Sequence, residues 1–212
     1  MTEKLSTEDL YEILKNRIIK LEYSPGQVLN EADVADEFNL SRTPVRKTFE
    51  QLKSRKLLNI IPRYGAQVAP IDFRHMKSVL EVVRELEGYA IRLAVERIPE
   101  ENIKELENIV ARIADYDIAT EYKTIIMEDE KFHQIIIKAS ENPCLIEILT
   151  DLHLHTERLW FYSQRELTDL SMFRDTLSDI VKAVKNRDGD LAEASSKKHT
   201  DEFVNLIKSE LL

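Results

Sequence analysis

From residue 72 to the end of the chain, apolar side chains recur at three- and four-residue spacing, and strand-like alternation appears nowhere. This constrains the chain more than any other feature, because two thirds of it can bury its apolar stripe only as helix on helix. With 4 glycines and 6 prolines in 212 residues, there is little material for tight turns. Breaks fall at Ile98-Pro99, Glu141-Asn142-Pro143 and Asp188-Gly189-Asp190. The spacing therefore predicts about six helices, over 72–97, 100–119, 121–139, 143–163, 168–187 and 190–210. A bundle of that length has room for a ligand cavity between helices.

The first 70 residues read differently. Ser6 and Asp9 predict a capping box, followed by Leu10, Tyr11, Leu14, Ile18 and Leu21 at helical spacing. That helix must end before Ser24-Pro25-Gly26. Asn30 predicts the cap of a second, short helix with Glu31 and Asp33 in its first turn and Val34, Ala35 and Phe38 inward. A tight turn at Asn39-Leu40 leads to Ser41, the cap of a third helix from about Arg42 to Lys56, with Pro44 tolerated in its first turn. Leu57–Ile61 and Ala66–Ala69 around Pro62-Arg63-Tyr64-Gly65 predict a β-hairpin. The fold class is mainly α: a winged helix-turn-helix domain over 1–70 and an all-helical bundle over 71–212.

Charge follows the same division. The chain carries -9 overall, yet residues 1–70 hold 11 Lys and Arg against 10 Asp and Glu, whereas the remainder nets -10. Within 40–70, Arg42, Arg46, Lys47, Lys53, Arg55, Lys56 and Arg63 face Glu50 alone, a net of +6. Such a stretch either neutralises phosphates or is a solvated helix face. Arg42 and Arg46 lie four apart, on one face of the third helix. Their forked donors suit guanine edges or phosphates. Arg63 and Tyr64 sit at the hairpin tip, placed to touch the DNA backbone or minor groove.

Other chemistries leave little trace. One cysteine, Cys144, excludes an internal disulfide, and there is no CxxC pair. No glycine-rich phosphate loop, GxSxG elbow or HExxH occurs, so an enzyme is not expected. The absence of a signal-like N-terminus and of any long apolar run makes the cytoplasm the expected compartment, without membrane contact.

In the helical part, Asp129 and His133 sit at i and i+4, flanked by Tyr122, Ile125, Ile126 and Ile136, so that face points inward. His199 shares a stripe with Ala192, Phe203 and Leu206. A carboxylate and two imidazoles converging in a bundle could coordinate a divalent cation; equally, each could be a hydrogen-bonded core residue. His153 and His155 follow on a later helix, and His155 shares a stripe with Leu152 and Leu159. Arg84 and Asn142 could hold an effector carboxylate or hydroxyl; an ion pair is the other reading of Arg84.

The pattern Tyr11…Leu14…Pro25-Gly26…Leu29…Glu31…Val34-Ala35…Leu40-Ser41-Arg42-Thr43-Pro44-Val45-Arg46…Leu52…Gly65…Val68 closely resembles the DNA-binding domain of GntR-type regulators. The resemblance implies operator contacts from Ser41, Arg42, Thr43 and Arg46, to which the charge pattern adds Lys47 and Arg63, and the hairpin tip adds Tyr64. It further implies that Gly65 lies against the minor groove. Ala32 stands where some relatives have a DNA-contacting arginine.

Arg84-Glu85-Leu86-Glu87, Asp129-Glu130-Lys131-Phe132-His133, Ser140-Glu141-Asn142-Pro143 and Ile180…Ala183-Val184…Asp188…Ala192…His199 resemble the FCD domain of the FadR-type branch. That resemblance implies a Zn, Ni or Mn ion held by one Asp and three His, with a small carboxylate as effector. Asp129, His133 and His199 match three ligands, but Leu177 stands at the fourth. The site therefore either keeps a three-ligand metal, completed by effector, water or a neighbour such as His155, or has lost it.

The function these residues point to is a ligand-responsive, DNA-binding transcription regulator, with repressor and activator both open. It would bind a near-palindromic operator as a homodimer, with a small effector coupled to DNA affinity. The alternatives are a metal- or ligand-binding helical protein whose N-terminal domain meets other proteins and, more remotely, a metal-dependent hydrolase.

Overall fold

In the computed structural model, residues 5–63, 65–163 and 171–211 are described. Tyr64, expected at the hairpin tip, lies outside the described residues, as does the expected helix start at 168. The chain divides into two compact units, Met1–Asp72 and Phe73–Leu212.

In the first unit, α1 spans Thr7–Ile19. Its capping box is formed: the Asp9 amide donates to Ser6 Oγ at 3.0 Å and the Ser6 amide donates to Asp9 Oδ2 at 3.0 Å. Leu10, Leu14, Ile18 and Ile19 are buried. Helix α2 spans Glu31–Glu37, capped by Asn30, whose Oδ1 accepts from the Ala32 amide at 2.7 Å. It ends at Asn39, which adopts φ +51, a conformation asparagine tolerates better than most residues. Helix α3 spans Arg42–Ser54 and buries Val45, Thr48, Phe49 and Leu52 against the other two helices.

A hairpin of β2 (Leu58–Ile61) and β3 (Gly65–Val68) follows, paired from Leu58 opposite Val68 to Ile61 opposite Gly65. A third strand was not foreseen. The two-residue β1, Val28–Leu29, pairs with Gln67 and Ala66 on the far side of β3, giving the order β1-β3-β2. Two residues cannot display a period-2 pattern. The strand does leave a mark at Gly65, which adopts φ +122: a Cβ there would sit 2.3 Å from the Leu29 carbonyl oxygen. Only glycine lets β1 close on the hairpin.

In the second unit the described helices are α4 (Phe73–Arg97), α5 (Glu100–Asp115), α6 (Ile118–Ala139), α7 (Pro143–Tyr162), α8 (Ser171–Lys185) and α9 (Gly189–Leu211). Helix α4 is central, packing on α6, α7 and α9, while α8 packs on α5 and α9. The α5–α6 boundary falls earlier than the spacing predicts. Asp117 caps α6 by accepting from the Ala119 amide at 2.9 Å, and Glu121 leaves helical geometry. A capping aspartate stops one helix and starts the next.

Candidate functional site

In the first unit, the candidate residues occupy the start of α3. Ser41, Arg42, Thr43, Arg46 and Lys47 are all exposed, and Arg42, Thr43, Arg46 and Lys47 line one open groove with Glu50 and Gln51. The buried stripe of Val45, Thr48, Phe49 and Leu52 fixes the rotation of the helix and turns this row outward. Ser41 caps the helix by backbone position, but its hydroxyl makes no capping bond. Arg46 is not loose. Its Nε donates to Glu31 Oε1 at 3.1 Å and its Nη2 to Glu31 Oε2 at 2.8 Å, which holds the Glu31 carboxyl below its ordinary pKa. The fork is thus oriented by α2, a bidentate arrangement that fixes the plane of the guanidinium. Arg63 is exposed with φ +72.

The second unit assembles its site from five helices. Asp129 and His133 of α6 and His199 of α9 converge, and one ligand atom from each lies within 4.8 Å of the other two. His133 Nε2 and His199 Nε2 stand 3.8 and 3.7 Å from Asp129 Oδ1, and 3.4 Å from each other. The opposite nitrogen of each ring is anchored. His133 Nδ1 meets Glu87 Oε1 of α4 at 3.1 Å, and His199 Nδ1 meets Thr176 Oγ1 of α8 at 2.7 Å. Anchoring Nδ1 aims Nε2 at a common point, as in carboxylate–histidine–metal sites. From α7, His153 reaches Glu87 Oε1 with Nε2 at 2.7 Å and Glu130 Oε2 with Nδ1 at 3.2 Å.

The electrostatics point the same way. Burial raises the Asp129 pKa to about 6, and its Oδ1 is buried without a hydrogen-bond partner. Burial presses His133 toward neutrality, yet the carboxylates of Glu87 and Asp129 outweigh it and raise its pKa to about 9. His199 is lowered to about 3 by burial, reinforced by the charge on His133, and so offers a lone pair. Burial also acts against ionised Glu87, but His133 and His153 hold it well below the carboxylate range. An orphaned buried carboxylate oxygen beside two aimed imidazole nitrogens leaves a polar gap that a divalent cation would fill. The residues fit such an ion. Leu177, fully buried on α8, supplies no ligand.

The remaining sequence candidates fall elsewhere. Arg84 does not line the histidine cavity. Its Nε and Nη2 donate to the two carboxylate oxygens of Asp201 at 2.7 and 2.9 Å, which makes it an ion pair linking α4 to α9. Asn142 caps α7, its Oδ1 accepting from the Leu145 amide at 3.3 Å, and is not a cavity residue. His155 packs edge-on to His75; His153 takes the inward place. Residues two apart on a helix point roughly 200° away from each other, so only one of the pair can face in. The inward stripe is Leu145, Leu149, His153, Thr156 and Trp160, not the one through His155. Glu87, Glu130 and Thr176 were missed as site residues. Glu87 had a signal: a carboxylate in the stripe of Leu80, Val83 and Ile91 needs a buried partner.

The cavity enclosed by these groups holds about 30 Å³, room for one or two water-sized particles. Glu87, Asp129, Glu130 and Glu157 line it with the three histidines, Trp160 and Phe203, and among the described lining residues there is no Arg or Lys.

Comparison with known proteins returns two family matches. The FCD domain matches residues 78–202, and the bacterial regulatory proteins, gntR family, match residues 6–68. The chain is 26% identical over 204 residues to the HTH-type transcriptional repressor RspR of Escherichia coli (strain K12), covering 95% of this chain and 88% of that one. It is 26% identical over 203 residues to the gluconate operon transcriptional repressor of Bacillus subtilis (strain 168), covering 92% and 82%. Among solved structures, E. coli McbR/YncC superposes with a TM-score of 0.81 at 20% identity over all of both chains.

Proposed function

Because this chain belongs to the gntR family of bacterial regulatory proteins and carries the FCD domain, we propose that it represses or activates transcription by gripping a two-fold symmetric operator as a homodimer. A metal-assisted effector site in the helical unit would tune that grip. The observation that carries the reading is the exposed row Ser41, Arg42, Thr43, Arg46 and Lys47, set on a buried helix face. The N-terminal part of a recognition helix is what enters the major groove. Lys47 and Arg63 supply phosphate contacts beside it. The domain boundary near residue 71 and the roles of these residues belong to the same proposal.

Dimerisation is supported by a stripe on α4. Val82 and Tyr89 are 47% and 50% exposed, and Leu86 and Leu93 between and beyond them are only partly buried. The four share one helix face, and a second copy would cover them. Asp129, His133 and His199 would hold Zn, Ni or Mn, whose role when bound is to supply the positive charge that an effector carboxylate needs in a cavity otherwise lined by acids. The protein's own residues set its geometry through the Glu87 and Thr176 anchors.

Footprinting on DNA selected from random sequence tests the reading. We expect two protected half-sites about one helical turn apart and binding that weakens steeply with salt. Uniform protection of any sequence would overturn it. Elemental mass spectrometry on protein purified without chelator tests the ion: wild type should carry metal and His133→Ala should not.

A further inference from the structure

Beside the histidine cavity lies a second, larger one of about 470 Å³ in the same helical unit. Its floor is Phe73, Met76, Leu80, Leu159, Val204 and Ile207, from α4, α7 and α9. Leu80 is shared with the wall of the histidine cavity. The volume falls in the range of small-molecule pockets, whereas the histidine cavity, at about 30 Å³, is of a size for an ion and one small acid group.

The rim is charged, and the sign is unexpected. Arg74, Lys77, Arg84 and Lys208 stand against Glu81 and Asp201, a net of +2, in a stretch that from residue 71 onward nets -10. Asp201 and Glu85 take up the donors of Arg84. Lys77 reaches Glu81 only at 3.9 Å. Lys208 has no ion-pair partner among the described residues. Two ammonium groups are therefore available above an apolar floor.

We propose that this cavity binds an organic anion with an apolar body, its acid group held at the rim by Lys77 and Lys208 and its body packed on Met76, Leu80, Val204 and Ile207. The apolar floor contributes affinity by area removed from water, and the rim selects for negative charge. Arg84 contributes as a fixed positive wall rather than as a direct ligand. Four of the lining residues, Phe73, Arg74, Met76 and Lys77, belong to the first turns of α4, directly after Asp72, where the winged unit ends. An occupant thus bears on the segment that joins the two units. Occupancy of the cavity stands without the regulator reading, and only its consequence at the operator rests on that reading.

Fluorescence titration of the full chain with anilinonaphthalene sulfonate, an apolar body carrying one acid group, tests the site. Its neutral analogue phenylnaphthylamine, which lacks the sulfonate, is the control. We expect saturable binding of the anion and at least about tenfold weaker binding of the neutral analogue, the free energy of one charge contact. Val204→Trp, which fills a partly exposed position, should abolish binding of both probes without lowering the melting temperature. Lys77→Glu with Lys208→Glu should weaken the anion about tenfold and leave the neutral probe unchanged. Equal affinity for the two probes, or unchanged anion binding in Val204→Trp, would overturn the proposal. Loss of operator recognition with probe binding intact would count against the regulator reading instead.

Discussion

The winged unit and the helical unit each present a cluster of candidate functional side chains, but they build it in opposite ways. In the winged unit the residues are consecutive or nearly so, from Ser41 to Lys47, and all exposed. In the helical unit Glu87, Asp129, His133, His153, Thr176 and His199 come from α4, α6, α7, α8 and α9, and five of the six are fully buried, His133 being the slightly exposed one. A surface row costs the fold little, because its charges remain in water. A buried polar cluster costs much unless every group finds a partner. Substitution should therefore separate binding from stability in the first unit and couple them in the second.

The largest effect expected is on DNA. Arg42→Ala with Arg46→Ala removes two forked donors, each worth about 1–3 kcal/mol of base discrimination. Operator affinity should fall roughly a thousandfold, with the melting temperature unchanged within error, since neither side chain is in the core. A matched loss of thermal stability would erase the contrast between the units.

In the helical unit, Asp129→Asn should abolish metal binding and yet stabilise the metal-free protein by about 1 kcal/mol. The sign follows from burial. Asp129 has its folded pKa raised to about 6 above the ordinary 3.8, so folding favours its protonated form. The penalty is absent below pH 4, grows as pH rises through 6, and is full at neutrality. Asparagine removes it at every pH. Calorimetric melts of both proteins at pH 7 and pH 4 check this: the gap between them should close on acidification. A destabilised variant at pH 7 would mean that Asp129 is satisfied by a partner within the fold.

Metal affinity should itself depend on pH. Below the His133 pKa of about 9 an entering ion must displace a proton, so affinity should rise close to tenfold per unit from pH 6.5 to 8.5. His199, lowered to about 3, adds nothing in that range. Competition with a chromophoric chelator measures the slope, and a flat profile would remove His133 from the ligand set.

Gly65→Ala probes a third kind of residue, set by backbone rather than by charge. A Cβ 2.3 Å from the Leu29 carbonyl oxygen at φ +122 must push β1 off the hairpin, at a cost of about 2–3 kcal/mol to the winged unit. The glycine that the family resemblance places against the minor groove thus has a structural reason as well. Comparing melting temperature with operator affinity apportions the two: an unchanged melt with lost binding would leave only the DNA contact.

These contrasts also mark what could be read from the sequence. The helices of both units were legible because their caps and stripes are local: Ser6 with Asp9, Asn30, Asp188-Gly189. The α3 row was legible for the same reason. Asp129 with His133 was visible as an i, i+4 pair. Asp201 as the partner of Arg84, Thr176 as the anchor of His199 and Glu87 as the bridge between His133 and His153 were not. Each joins residues 23 to 117 positions apart, and no periodicity encodes which helix faces which. The choice between His153 and His155 failed on phase alone, since both stripes contain leucines.

The smallest expected effect sharpens the comparison most, because it asks whether the exposed row is as loosely held as its exposure suggests. Arg46 is 69% exposed, yet Glu31 grips it with two hydrogen bonds. An exposed ion pair contributes at most about 1 kcal/mol to stability, so Glu31→Ala should leave the melt unchanged. Its consequence lies in recognition. With Glu31 present, the Arg46 fork is held in one plane, and on bound DNA a carboxylate would stand near the phosphates and penalise non-specific contact. Without it, affinity for random-sequence DNA should rise about threefold at low salt while operator affinity stays level or falls, narrowing the ratio between them. Glu31→Gln, which keeps a hydrogen-bond acceptor but loses the charge, should fall between. If both variants keep the wild-type ratio, the pair is only a resting place for an unoccupied side chain, and α3 orients its arginines without help from α2.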